Sequence, residues 1–165
     1  DCFQKVFDRL QLDGDAGKAT GICIDDLSQR PVFPEVIPIL QQLRKTFTLA
    51  IISNADCSFL YPLLRFHGIQ DIFSCIVSSE EAQAYKPHPS IFELAVTKLG
   101  FPLDQVIHVG DTVTEDVWGG NLVGIHTGWL NRGHEERRTF LDNDQYLWPD
   151  FELHNLEDLA RLFRE

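Results

Sequence analysis

Apolar positions along the chain follow two rhythms, one helical and one of short continuous runs. At the amino end Phe3, Val6, Phe7 and Leu10 recur at helical spacing within Cys2 to Leu12. Leu12-Asp13-Gly14-Asp15-Ala16-Gly17 carries the chemistry of a solvated turn. Gly21-Ile22-Cys23-Ile24-Asp25-Asp26-Leu27-Ser28 fits two patterns: a short buried strand ending in two acids, or the tail of a helix running into a loop. Phe33-Pro34-Glu35-Val36 opens a clear helix with Pro near its first turn. Val36, Ile37, Leu40 and Leu43 form its apolar face, and Lys45 suits its carboxyl end.

From Thr48 onward the short apolar runs take over. Thr48 to Ile52 reads as a parallel strand covered on both faces. It stops at Ser53-Asn54-Ala55-Asp56, and Cys57 to Phe66 continues as a helix closed by His67-Gly68. Phe73 to Val77 is a second strand, with Ser78-Ser79-Glu80-Glu81 beyond its tip. Tyr85-Lys86-Pro87-His88-Pro89 predicts an extended link, because a residue before proline is pushed out of the helical region. Pro89 or Ser90 starts a helix that runs to Leu99 and ends at Gly100. Val106 to Val109 is a third strand, and the polar-to-apolar change from Thr114 to Trp118 opens a helix at Asp116. Gly124 to Leu130 is a fourth strand, and a last unit runs from Tyr146 to Leu153 before a helix from Leu156 to Phe163. His134 to Gln145 reads as a polar surface helix and loop. Strands alternating with helices through short links predict a doubly wound parallel α/β sheet. Right-handed crossovers then bring Ser53, Lys86 and Asp111 to one edge, where such sheets bind ligands.

Composition narrows the partners more than the fold. A chain of 165 residues can bury about 70% of its unfolded surface, enough for one real core. The net charge of -11 argues against nucleic acid or an anionic membrane as main partner. It leaves room for a small anionic substrate, since a bound metal inverts the local sign. No apolar run is long enough for a membrane span, and no signal-peptide pattern opens the chain. Cys2, Cys23, Cys57 and Cys75 lack metal-ligand spacing and read as buried reduced thiols, so a cytoplasmic location is expected. The sequence has no Met and opens inside a helical pattern, as expected of a fragment or a processed product.

The candidate chemistry centres on Val109-Gly110-Asp111 and Asp116. One carboxylate leaving a strand tip and another entering the next helix suit Mg²⁺, which takes hard oxygen ligands and keeps several waters. Capping of the turn and the helix explains the same two acids equally well when they stand alone. Among the histidines, His108 reads as packed, His88 as a surface residue near the site, and the others show no ligand spacing.

Ile51-Ile52-Ser53-Asn54-Ala55-Asp56, Tyr85-Lys86-Pro87-His88-Pro89-Ser90-Ile91-Phe92 and His108-Val109-Gly110-Asp111 with Asp116, in that order, resemble the haloacid dehalogenase-like hydrolases. The resemblance covers roughly residues 32–165 and is nearest the branch with an α-helical cap inserted after the first strand. It implies a Rossmann-like core over residues 31–165 and a remnant of the cap over residues 1–30. Ser53 would donate its hydroxyl to a phosphoryl oxygen, with Asn54 adding a polar contact. Lys86 would steady the attacking group and the transferring phosphate. Asp111, and Asp116 directly or through water, would hold Mg²⁺. The resemblance therefore implies a phosphatase acting on a small phosphorylated metabolite, with no nucleic-acid or membrane partner. Dehalogenases of the family share a stretch like Trp129-Leu130-Asn131-Arg132, yet usually lack the acidic pair. A 2-haloacid dehalogenase, and a catalytically inactive module that binds a phosphate ligand or a protein, are the alternatives.

One family feature is missing. The first motif, an apolar strand ending Asp-x-Asp-Gly-Thr, supplies the nucleophile and the acid-base group, and no such string occurs here. The nearest imitation places Asp25 and Asp26 side by side, so on a strand they would point to opposite faces. In the family that strand lies between those ending at Ser53 and Asp111. Two apolar edges are then expected to face a gap. Gly21 to Ile24, another chain, or an omitted natural beginning would fill it, and omission is the favoured expectation.

Overall fold

The computed structural model describes residues 2–134 and 148–163. The expected surface segment His134 to Gln145, apart from His134, and the start of the last unit at Tyr146 lie outside the described residues. Two helices open the chain, α1 (Cys2–Leu10) and α2 (Ala16–Ser28). They pack on each other, and no residue of α1 is fully buried. Asp15 caps α2 by accepting from the Lys18 N–H at 3.0 Å, so the turn chemistry before it becomes a helix start. Helical geometry then runs through to Ser28 and settles the ambiguous stretch as the tail of a helix. Asp25 and Asp26 therefore sit on a helix, not at a strand tip, and Asp26 pairs with exposed Arg30 at 3.1 Å.

Helix α3 (Val36–Leu43) begins after a turn in which the Val36 N–H bonds the Phe33 carbonyl at 3.0 Å. The βα units follow: β1 (Ala50–Ser53), α4 (Cys57–Phe66), β2 (Cys75–Ser78), the short α5 (Ser79–Ala82), and α6 (Pro89–Leu99). Next come β3 (Ile107–Gly110), a single π-helical turn (Val113–Val117) running into α7 (Trp118–Val123), and β4 (His126–Leu130). β5 (Phe151–Leu153) and α8 (Leu156–Leu162) complete the described chain.

Every strand pairing is parallel, as βα connections require. β1 pairs with β2, and β3, β4 and β5 pair in that order. Alternation along the first pair sends Ala50, Ile52, Cys75 and Val77 to a cluster with Ile91, Phe92 and Ala95 of α6. The alternate residues, Ile51 and Ile76, meet Leu60 and Leu64 of α4 on the other face. The same α6 cluster extends to Val106, Val123 and Ile125, so one core underlies both groups of strands. The fold is the expected two-sided α/β arrangement.

It is divided at one place. Among the described residues β1 and β3 share no pairing, and the sheet stands as two groups, of two strands and of three. Burial reports the same division: all residues of β1 and β3 are partly exposed, while β2 and β4 are mostly buried. Gly21 to Ile24 cannot fill the break, being helical.

Two local expectations change. Tyr85 to His88 is a turn rather than an extended link: the Lys86–Pro87 peptide is cis and the His88 N–H bonds the Tyr85 carbonyl at 2.8 Å. Helical backbone begins at Val113, so Asp116 lies inside the π turn, not at its start. The Asp116 N–H already bonds the Thr112 carbonyl at 2.7 Å, which draws the turn forward. All four cysteines are free, though only Cys75 is buried. No helix among the described residues is long and apolar enough to cross a membrane.

Candidate active site

The carboxyl ends of β1, β2 and β3 converge, and each contributes through its following loop. Ser53 ends β1, and its Oγ accepts from the Ala55 N–H at 3.2 Å, which tightens the turn toward α4. The β2 tip braces that turn from the side. Ser79 Oγ donates to the Ala55 carbonyl at 3.3 Å, and Glu80 takes the Cys57 N–H at 2.9 Å. That bond caps the start of α4, where the Asp56 side chain makes no capping bond.

Asn54 reaches across to the turn after α5. Its Oδ1 accepts from the Lys86 N–H at 2.6 Å, and its Nδ2 donates to the Lys86 carbonyl at 3.2 Å and to Glu115 Oε2 at 3.0 Å. The amide is thus occupied at both ends. The Lys86 ammonium extends to Asp116 Oδ1 at 2.5 Å.

Asp116 is the polar centre of the site. It is 2% exposed and accepts from Lys86, from His108 Nε2 at 2.8 Å and from the Thr112 N–H at 3.0 Å. Burial favours the neutral acid, but the His108 hydrogen bond and the Lys86 charge outweigh it and hold the carboxyl well below the ordinary range. Gly110 is the residue that lets this carboxyl fold back under the strand tip, since a Cβ there would overlap Asp116 Cγ. His108 stands two residues earlier on the same strand and meets Phe92 edge-on at 5.1 Å between ring centres.

Asp111 follows directly. Its carbonyl accepts from Trp129 Nε1 at 3.1 Å, which ties it to β4, and its side chain is exposed. No hydrogen bond to its carboxylate is found among the described residues. Nor do those residues include three His, Cys, Asp or Glu grouped as a metal site. Hard oxygen on an exposed strand-tip carboxylate suits an ion that keeps most of its waters. Asp116 has Oδ1 taken by Lys86 and His108 and Oδ2 by the Thr112 N–H, which leaves Oδ2 room to accept from a metal-bound water.

Of the residues singled out from the sequence, Asn54, Lys86 and Asp116 form one hydrogen-bonded chain, flanked by Ser53 at the β1 tip and Asp111 at the β3 tip. Sequence reading assigned His108 to packing and overlooked Glu115 and Glu80. Strand alternation offered a signal for His108, since residues 108 and 110 share a face. Nothing local marks Glu115 or Glu80, whose partners lie 61 and 23 positions away.

A family model described as haloacid dehalogenase-like hydrolase matches residues 3–124. Pyrimidine 5′-nucleotidase YjjG of Escherichia coli is 33% identical over 127 residues, 76% of this chain and 55% of that protein. Glyceraldehyde 3-phosphate phosphatase of Methanopyrus kandleri is 33% identical over 134 residues, 81% of this chain and 57% of that protein. The chain thus spans little more than half the length of both relatives. Among solved structures, 2-haloacid dehalogenase of Pseudomonas syringae superposes with a TM-score of 0.74 at 31% identity, covering 89% of this chain and 59% of that one.

Proposed function

The chain belongs to the haloacid dehalogenase-like hydrolases, and from that premise we propose that its site serves the Mg²⁺-dependent hydrolysis of a small phosphate monoester. One observation carries the reading: a buried, ionised Asp116 holds the Lys86 ammonium, while the neighbouring Asp111 carboxylate is left exposed on the same edge. A cation fixed beside an exposed hard anion is the pairing that a phosphoryl group and its metal require. Similarity to a nucleotidase and a sugar-phosphate phosphatase supports it.

In this reading Ser53 Oγ, oriented by the Ala55 N–H, keeps its own hydrogen to donate to a phosphoryl oxygen. Lys86 spends one ammonium hydrogen on Asp116 and offers the others to the phosphate. Asp111 would hold Mg²⁺, with Asp116 meeting it through water, and the ion would supply neutralisation of the phosphate before an anionic attacker. Asn54 acts on the substrate through Lys86, whose backbone it grips at N–H and carbonyl. The attacking carboxylate arrives on a strand paired between β1 and β3, which would also join the two groups of strands.

The test is hydrolysis of a chromogenic phosphate monoester, by the chain alone and with an added segment carrying an apolar strand that ends in Asp-x-Asp. Activity is expected only with the segment and Mg²⁺, and Lys86→Ala should lower kcat/KM by about 100-fold or more. Lack of phosphate release with the segment bound overturns the phosphatase reading. Phosphate binding without turnover would favour an inactive binding module. Halide release from a 2-haloacid without metal would favour a dehalogenase, the activity of the superposed relative.

A further inference from the structure

Glu115 and Asp116 are consecutive, yet both reach the other group of strands. Asp116 takes the Lys86 ammonium and Glu115 takes the Asn54 amide at 3.0 Å. On a regular helix consecutive side chains diverge by about 100°. Here both lie in the π turn Val113–Val117, a form frequent at functional sites. The two targets belong to one device. Lys86 is gripped at its ammonium by Asp116 and at its backbone by Asn54.

Asn54 works only one way round. Its oxygen must face the Lys86 N–H, so its NH₂ must find acceptors, and an amide turned over would set donor against donor. An ionised Glu115 accepts only, and so reinforces the productive orientation. The bond also spans the break in the sheet: Asn54 follows β1, Glu115 follows β3, and no strand pairing joins those two.

We propose that Glu115 is a positioning residue of this site, setting the place of Lys86 by fixing Asn54 across the divided sheet. The inference rests on the phosphatase reading for its consequence but not for its geometry. Glu115 does not touch the phosphate in this arrangement; it decides where the cation stands that does.

Two measurements on the chain test it, with inorganic phosphate plus Mg²⁺ as the probe. The first is the amide signal of Lys86 and its hydrogen-exchange rate, the second the dissociation constant for phosphate. Glu115→Ala should speed Lys86 amide exchange and weaken phosphate binding, each by about tenfold, the scale of one hydrogen bond to a charged group. Glu115→Gln, whose carbonyl still accepts from Asn54, should restore both. Asn54→Ala should repeat the loss, and the double variant should be no worse than either single one. Should Glu115→Ala fail to fold, Glu115→Asp, one methylene short of Asn54 but still charged, is expected to show the same loss. The proposal is overturned if the Lys86 amide is unmoved in Glu115→Ala or Glu115→Asp, if glutamine fails to rescue, or if the losses add. A wild-type chain that binds no phosphate sinks the phosphatase reading alone, and the Lys86 amide still judges Glu115.

Discussion

At the scale of single residues, Asp116 shows how a site stores charge. A carboxylate only 2% exposed would normally protonate, and it stays ionised because three donors converge on it. The folded carboxyl titrates below its unfolded counterpart at about pH 3.9, so its stabilisation is complete above that pH and drains away as pH falls below it. Asp116→Asn leaves Lys86 and His108 facing a neutral amide. It should cost about 3 kcal/mol at neutral pH by urea denaturation, the scale of breaking a buried pair. Between about pH 5 and about pH 3 the variant should lose less stability than the parent, and equal losses would sink the assignment. Part of this centre was legible beforehand as candidates: a strand tip, a Gly-Asp pair and a lysine before proline are local signals, each weak alone and specific only together. That Asp116 is held by His108 was not, because the meeting depends on the backbone folding back past Gly110.

At the scale of elements, close packing holds the site. α7 lies against α6 so tightly that a Cβ on Gly119 would overlap the fully buried Phe92 ring and come within 3.0 Å of the Pro87 backbone. Pro87 follows Lys86, so this contact seats the turn that carries the ammonium. Gly119→Ala should cost about 1–3 kcal/mol through overpacking, a fall of several degrees in Tm by calorimetry. An unchanged Tm would show that Phe92 gives way freely. Helices with strong stripes and stops, such as α4 and α6, were readable to within a residue. The π turn was not, since hydrophobic period does not distinguish a widened turn from a regular one.

At the scale of the whole molecule, the break between β1 and β3 bears on local stability. β4 is paired on both sides, while β1 and β3 each have one neighbour among the described strands. Backbone amides of Thr127 to Leu130 should therefore exchange at least about tenfold more slowly than those of β1 and β3, measured by native-state hydrogen exchange. Uniform protection across all these strands would show that the break closes in solution. The apolar runs, alternating with helices, already implied parallel strands with all their tips on one edge, and the resemblance to the family implied a gap between β1 and β3.

By itself the sequence determined the order of the main strands and helices from Thr48 onward and their shared edge, and its resemblance to the family marked Ser53, Asn54, Lys86, Asp111 and Asp116 as candidates. Periodicity, caps and breakers act over a few residues, and a string carries them whole. Only the tertiary structure decided that the stretch around Asp25 is helical, that Asn54 grips Lys86 instead of standing open, and that Glu115 and His108 complete the network. Those outcomes depend on which distant groups arrive within hydrogen-bonding reach, and that is a property of packing, which no local pattern encodes.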